Sequence, residues 1–467
     1  MDSRIKRFFD SMKDAKVAFF GIGVSNTPLI SKFLEKGAIV TACDRRTREQ
    51  LGDVADQLEA LGAQLRLGPD YLENLDVDIV FRTPGMYFNL PVLFDMRARG
   101  VTVTSEMEVF FDLCPCKIFA VTGSDGKTTT TSIIAELLRA EGKTVHLGGN
   151  IGRALLPIIE EIESDDYAVV ELSSFQLISI RRSPDVAVVT NVSPNHLDVH
   201  GNMEEYIDAK KSILIHQNAF GRAVLNLDNE ITRDLAAVTR GRTLFFSRRS
   251  TPSTGAYLDG NTIKFTQNGK TTDLLTADQI RIPGLHNVEN YLAAITAAWG
   301  YVSPENIRRV AETFPGVEHR AEFVRELDQV KYYNDSIATS PTRTASGTLS
   351  LYTQKIILIA GGYDKKIPFD ALGPVLVDKV KTLILMGATS GKIETAVRAA
   401  ETYTEGHPTM LFCDTMEDAV ALARKNAEAG DIVSLSPACA SFDKYVNFEV
   451  RGNHFKQIVS GLKEGIQ

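Results

Sequence analysis

Short apolar runs recur along this chain, each closed by glycine, proline or a polar cluster and followed by residues at helical spacing. KVAFFGIG (Lys16–Gly23) opens the series, AIVTACD ends its strand at Asp44, and VDIVFRTPG (Val77–Gly85) stops in a Thr-Pro-Gly turn at a sheet edge. Ile118–Val121 then runs through a glycine turn into Ile133, Ile134, Leu137 and Leu138, whose spacing puts them on one helical face. Strands are also expected in YAVVELSSFQL (Tyr167–Leu177), DVAVVTNVSPNHLDVHG (Asp185–Gly201), KYYNDSIATSPTRT (Lys331–Thr344), KIILIAGGYDKK (Lys355–Lys366), TLILMG (Thr382–Gly387) and DIVSLSPACASFDKY (Asp431–Tyr445). EEYIDAKKSILIH (Glu204–His216) and the Ala-rich GLHNVENYLAAITAAW (Gly284–Trp299) read as helices. Alternating strands and helices predict doubly wound α/β units. At 467 residues, three domains are expected, with boundaries at 1–112, 113–316 and 317–467. No internal repeat, low-complexity segment or long linker interrupts them.

Composition narrows the class. A hydrophobic content of 44% and a charged content of 24% are those of an ordinary soluble protein. The formal net charge of −8 argues against a nucleic-acid partner, which would want a basic face. The five cysteines, at 43, 114, 116, 413 and 439, give no four-ligand zinc spacing, and Cys114-Pro-Cys116 is too tight for C-x-x-C chemistry. Buried, reduced thiols are expected, as in a cytoplasmic protein. The first residues lack the apolar core of a signal peptide, and no run approaches a membrane span. No membrane partner is expected, and we expect a monomer.

The chemistry centres on FAVTGSDGKTTTT (Phe119–Thr131). Strand, glycine turn and helix aim backbone N–H groups and a helix N-terminus at phosphate. Gly123 and Gly126 let the chain wrap closely, Lys127 would reach the terminal phosphates, and the Thr128 or Thr129 hydroxyl would reach Mg²⁺. The form is G-x-x-G-K-T-T, shorter than the usual loop, because Val121 stands where the first glycine would be.

Other residues change meaning beside that loop. Gly21-x-Gly23 and Asp44 are a partial dinucleotide fingerprint, with Asn26 in place of the third glycine, so a nicotinamide dinucleotide and a bare βαβ half both stay open. Glu171, at the C-terminal end of a strand, sits where Mg²⁺ would be held. Asn191, His196, Asp198 and His200 follow a core strand in the same domain, and Tyr206 and Lys210 share one helical face. Asn287 and Asn290 are caps, or reach an adenine or metal. His319 and Arg320 lie at the entry to the third domain, where Asn334-Asp335-Ser336 and Gly361-Gly362 with Lys365 follow strands.

Taken together, GSDGKTT, ELSSFQL, NVSPNHLDVHG, YIDAK, PGLHNVEN, GVEHR, YNDSIATSP, AGGYDKK and LSPACASFDKYVNFEVRGNHF resemble the Mur ligase family over essentially the whole chain. The resemblance is to its D-glutamate-adding members. It implies a Rossmann-like N-terminal domain, a central P-loop ATPase-type domain and a C-terminal doubly wound, Rossmann-like domain. The implied activity is ATP-dependent addition of D-glutamate to UDP-N-acetylmuramoyl-L-alanine through an acyl phosphate, in cytoplasmic peptidoglycan precursor synthesis. By the same resemblance, ATP is held by Gly123, Ser124, Asp125, Gly126, Lys127, Thr128, Thr129, Asn287, Asn290, Arg320 and Asp335. Lys127, Glu171, His196 and Lys210 are the catalytic set, with Thr128 and Glu171 at one Mg²⁺ site and His196 and a carbamylated Lys210 at a second.

The UDP-substrate is assigned to Ser25, Asn26, Asp44, Arg45, Thr83, Pro84, Gly85 and Asn150, and D-glutamate to Thr339, Lys365, Ser441 and Phe448. Because Arg320 and Asp335 lie at or beyond the hinge, ATP would draw the third domain onto the second. One departure is Ile337, where many members carry lysine; Arg343 is a candidate to supply that charge. Two alternatives differ in class. One is a ligase with another acceptor, such as the lysine- or diaminopimelate-adding relatives or folylpolyglutamate synthase, which lacks a domain before the phosphate loop. The other is a nucleotide-binding regulatory or dehydrogenase-like protein, against which Lys127, Glu171, His196 and Lys210 count.

Overall fold

The computed structural model describes residues 2–194 and 200–465. Among these the strands form four sheets. The first has the order β3-β2-β1-β4-β5, all parallel, from β1 (Lys16–Phe20), β2 (Ile39–Asp44), β3 (Gln64–Leu67), β4 (Ile79–Arg82) and β5 (Thr102–Thr104). Its interior strands are apolar on both faces because helices cover both. On one face Phe19 stacks on Phe81 with ring centroids 5.1 Å apart, and Phe33 of the Asn26–Glu35 helix meets both edge-on.

The second sheet is also parallel, in the order β11-β10-β9-β6-β8-β7. It comprises β6 (Lys117–Thr122), β7 (Val145–Gly149), β8 (Tyr167–Glu171), β9 (Val186–Val189), β10 (Arg222–Asn226) and β11 (Arg242–Phe246). The chain leaves β6 for β7 and β8 on one side and then crosses to β9 on the other. The C-terminal end of β6 is therefore a topological switch point, where open α/β sheets bind ligands.

An antiparallel meander, β12 (Gly255–Asp259), β13 (Thr262–Gln267) and β14 (Lys270–Thr276), follows β11. It stands outside the doubly wound pattern expected from the sequence. Phe265 of this meander stacks on Trp299 at 3.8 Å.

The last sheet has the order β15-β16-β20-β17-β18-β19. Its strands are β15 (Glu322–Leu327), β16 (Val330–Asn334), β17 (Ile356–Ala360), β18 (Val380–Met386), β19 (Thr409–Cys413) and β20 (Ile432–Leu435). All neighbours are parallel except the hairpin β15–β16, whose turn puts Asp328 and Gln329 at positive φ. Strand alternation decides its two cores. Ile356, Leu358 and Ala360 pack on one face, and Ile357 and Ile359 on the other.

The chain divides into two units, Met1–Gln279 with Glu289–Ala311, and Ile280–Val288 with Glu312–Gln467. The first and second parallel sheets lie in the first unit and the last sheet in the second. Among the described residues no helix is long and apolar enough to cross a membrane.

Candidate active site

The glycine turn between β6 and the Lys127–Ala140 helix is fixed by close backbone approach. Gly123 has φ +152° and Gly126 has φ +76°, and a Cβ on either would clash, with the Thr190 hydroxyl or the Asn290 side-chain oxygen. Asn191 and Thr190 pin the turn from β9's end: Asp125 N–H donates to Asn191 Oδ1 at 2.9 Å, and Thr190 Oγ1 donates to Asp125 O at 2.6 Å. Ser124 serves the loop's own structure, its hydroxyl donating to Ser193 O and lying 3.1 Å from the Tyr206 hydroxyl. Lys127 Nζ donates to Gly123 O and Ser124 O at 3.0 and 2.9 Å.

Glu171 ends β8, next to β6, so its carboxylate faces the first turn of that helix. Thr128 Oγ1 donates to Glu171 Oε2 and Asn150 Nδ2 donates to Glu171 Oε1, both at 2.7 Å. Asn150, assigned above to the UDP-substrate, is placed by this bond beside the carboxylate. Among the described residues no group of three or more His, Cys, Asp or Glu side chains is arranged to hold a metal ion. Thr128 and Glu171 nevertheless bring a hydroxyl and a carboxylate within one hydrogen bond, hard oxygen donors suited to Mg²⁺ completed by phosphate and water.

Lys210, on the Met203–Ile215 helix, is 1% exposed. Its Nζ donates to Gly123 O at 2.9 Å and lies 4.6 Å from the centre of the Tyr206 ring, four residues earlier on the same face. Burial, reinforced by the nearby Lys127 charge, lowers its pKa from 10.5 to about 7. His196 lies outside the described residues. His200 stacks on Phe175 at 5.1 Å, its Nε2 2.8 Å from the Ser174 hydroxyl. Asn290 accepts from the Thr130 hydroxyl at 3.2 Å.

In the first sheet the three assigned loops leave the C-terminal ends of the neighbouring strands β1, β2 and β4. Asp44 Oδ2 accepts from Ile22 N–H at 2.8 Å, and Arg46 grips both carboxylate oxygens while donating to Ile22 O at 2.6 Å. Burial opposes ionisation of Asp44, but the Arg46 and backbone hydrogen bonds hold its pKa below the ordinary value. Arg45 is exposed, and Arg46 is the arginine that engages Asp44. Asn26 Nδ2 donates to Gly21 O at 2.9 Å, and Ser25, before that helix, makes no side-chain cap. Thr83-Pro84-Gly85 forms a turn closed by Met86 N–H on Thr83 O.

In the second unit, Asn287 Nδ2 donates to Pro283 O at 2.6 Å, and Arg320 is exposed. Asp335, just after β16, accepts from the Thr348 hydroxyl and from Ala321 N–H. Burial raises its pKa from 3.8 to about 6. Lys365 is exposed and donates to Thr339 O at 3.3 Å. Ser441 is buried, and Phe448 is half-buried with its carbonyl accepting from Ser336 Oγ at 2.7 Å.

The residue that joins these segments is Arg451, which donates to Ser336 Oγ and O, Cys439 O and Ala440 O. Sequence reading did not single it out, although it stands inside NFEVRGNHF, because an arginine facing carbonyls leaves no charge pattern to find. Arg343 donates to Ile337 O at 3.3 Å.

A phosphate loop at the switch point of a parallel sheet, backed by a carboxylate, defines a nucleotide-binding α/β protein of several sheets. The family model for the Mur ligase middle domain matches residues 121–298, and that for the Mur ligase, glutamate ligase domain matches residues 319–439. The UDP-N-acetylmuramoylalanine–D-glutamate ligase of Acetivibrio thermocellus is 51% identical over 467 residues, covering 99% of this chain and all of the relative. The enzymes of that name from Clostridium acetobutylicum and Ruminiclostridium cellulolyticum are 49% and 48% identical, each over 99% of this chain and 100% of the relative.

Among solved structures, the UDP-N-acetylmuramate-alanine ligase of Thermotoga maritima superposes with a TM-score of 0.57 at 18% identity, covering 96% of this chain and 100% of that one. A UDP-N-acetylmuramoyl-L-alanyl-D-glutamate–2,6-diaminopimelate ligase gives 0.55 at 18%, covering 95% and 93%. At that identity the likeness is one of fold. The chain belongs to the Mur ligase family.

Proposed function

We propose that this protein is an ATP-dependent amide ligase that joins D-glutamate to UDP-N-acetylmuramoyl-L-alanine. The observation that carries the reading is the Thr128–Glu171–Asn150 cluster beside the Lys127 loop, in a chain about half identical over its full length to D-glutamate ligases. The muramoyl-alanine carboxylate attacks the γ-phosphorus, ADP leaves, and an acyl phosphate forms. The D-glutamate amine then attacks the acyl carbon, loses a proton, and expels phosphate. Lys127 offsets charge on the γ-phosphate, and the Gly123–Thr129 loop orients the triphosphate through backbone N–H groups.

Thr128 and Glu171 would hold one Mg²⁺, and His196 with Lys210 a second. Bound Mg²⁺ would screen the repulsion between the phosphate oxygens and the attacking carboxylate. A neutral Lys210 amine can add CO₂ and release a proton, becoming an anionic oxygen donor; burial at 1% exposure beside the Lys127 charge favours the uncharged amine.

Asn287, Asn290, Arg320 and Asp335 are proposed at the nucleotide. Ser25, Asn26, Asp44, Arg45 and Thr83–Gly85 are proposed at the UDP moiety, joined now by Arg46, with Asn150 at the muramoyl part. Thr339, Lys365, Ser441 and Phe448 are proposed at D-glutamate. The domain division at 1–112, 113–316 and 317–467, a monomeric state and a cytoplasmic location belong to the same proposal. An ATP-dependent phosphate-release assay with UDP-N-acetylmuramoyl-L-alanine and a panel of amino acids tests it.

A further inference from the structure

The turn Thr83-Pro84-Gly85 is strung between two anchors that both reach into the central sheet's helices. On its N-terminal side, Arg82 is 1% exposed. Its Nη2 donates to Ser179 Oγ at 2.6 Å and to Phe175 O at 3.3 Å, and its Nη1 donates to Met86 O at 3.1 Å, closing the turn beneath itself. Among the described residues Nε has no acceptor, so this guanidinium is held by only part of its donor set. Burying a guanidinium with an unpaired donor carries a desolvation cost. On the C-terminal side, the Tyr87 hydroxyl bonds the Glu205 carboxylate, in the first turn of the Met203–Ile215 helix.

These two anchors fall on the two central elements that carry the site. Phe175 and Ser179 lie just beyond Glu171, on and after the short helix Ser174–Leu177. Glu205 lies on the helix of Tyr206 and Lys210. Packed rings connect them: Phe175 stacks on His200, His200 lies 5.3 Å from Tyr206, and Tyr206 carries the Lys210 amine over its face. The Tyr206 hydroxyl then meets Ser124 of the phosphate loop.

We infer that Arg82 and Tyr87 are positioning residues, a two-point clamp by which occupancy of the Thr83–Gly85 turn is coupled to the geometry of Glu171, Lys210 and the phosphate loop. The inference rests on the functional reading above for the ligand, a UDP-sugar peptide. A ligand that orders the turn also orders its anchors, and by reciprocity a nucleotide that orders the phosphate loop tightens the turn's ligand.

Isothermal titration of the full chain with UDP-N-acetylmuramoyl-L-alanine, without and with a non-hydrolysable ATP analogue and Mg²⁺, measures this coupling. In the wild type the nucleotide should tighten the UDP-substrate by about fivefold or more. Tyr87→Phe removes one anchor and Ser179→Ala weakens the other. Each should shrink the ratio, and the double variant should bring it to about one, while each ligand alone keeps its affinity within about twofold. A merely structural role would lower the melting temperature and weaken both ligands without moving the ratio. Should the double variant fail to fold, the two single variants decide the matter. A wild-type ratio near one, or a ratio that survives both substitutions, overturns the clamp. If the wild type does not bind the UDP-substrate at all, the functional reading falls and the clamp with it, an outcome distinct from binding without coupling.

Discussion

The Thr128 hydroxyl donates to Glu171 Oε2 at 2.7 Å, tying the first turn of the phosphate-loop helix to the end of the adjacent strand. The same carboxylate accepts Asn150 through its other oxygen, so its plane is fixed from two sides before any ligand arrives. Glu171→Gln keeps the shape and removes the charge. It should lower kcat by about 100-fold or more, since a preorganised charged group aimed at a phosphoryl centre carries an effect of that size. Phosphate release under saturating ATP and Mg²⁺ measures it. A variant within about tenfold of wild type would contradict the assignment.

Lys127 Nζ donates to the Gly123 and Ser124 carbonyls of its own loop. Lys127→Ala should abolish turnover, while the UDP-substrate still binds the loops of β1, β2 and β4. Titration calorimetry and the phosphate assay separate the two effects. Retained turnover within about tenfold, or joint loss of both, would count against it.

Lys210→Ala should lose activity, and a small carboxylic acid at high concentration should restore part of it by placing oxygens where the carbamate would stand. Depleting CO₂ from the wild type should produce the same loss, reversed by bicarbonate. A fully active alanine variant, or a wild type indifferent to CO₂, sinks the carbamate.

Asp335 provides a pH test. Burial raises its folded pKa to about 6, against an ordinary 3.8. Between those values the folded form keeps a proton the unfolded form has lost, so this group's contribution to stability falls as pH rises from about 4 to 6. Asp335→Asn mimics the protonated side chain and should remove that dependence. Relative to wild type, the variant should gain on the order of 2 kcal/mol across the window, read by denaturant unfolding at successive pH values. Parallel wild-type and variant curves would refute it.

Several features were legible in the residues themselves. Gly123 and Gly126 declare the turn between strand and helix because their positive φ and crowded Cβ positions favour glycine, and the continuous apolar runs of β6, β8, β9 and β17 declare buried parallel strands. The meander β12–β14 was equally written, in Asn268-Gly269 between alternating segments, with both residues at positive φ. A search tuned to βαβ units passes over it. Arg46 could not be told from Arg45, since both follow Asp44 and only the turn decides which one folds back. Arg82, Tyr87 and Arg451 were illegible for another reason. Their partners, Ser179, Glu205 and Ser336, lie far along the chain, and no local period encodes such pairings.

The most direct measurement is phosphate release driven by ATP and UDP-N-acetylmuramoyl-L-alanine, run against D-glutamate, L-glutamate, lysine and diaminopimelate in turn. Each acceptor carboxylate needs a cation or hydroxyl once water is excluded, which Lys365, Thr339 and Ser441 are proposed to supply. D-glutamate alone should support rapid turnover, and Lys365→Ala should raise its KM by about tenfold or more while leaving the KM for ATP nearly unchanged. Equal rates with L- and D-glutamate, or a preference for lysine or diaminopimelate, would contradict a D-glutamate ligase.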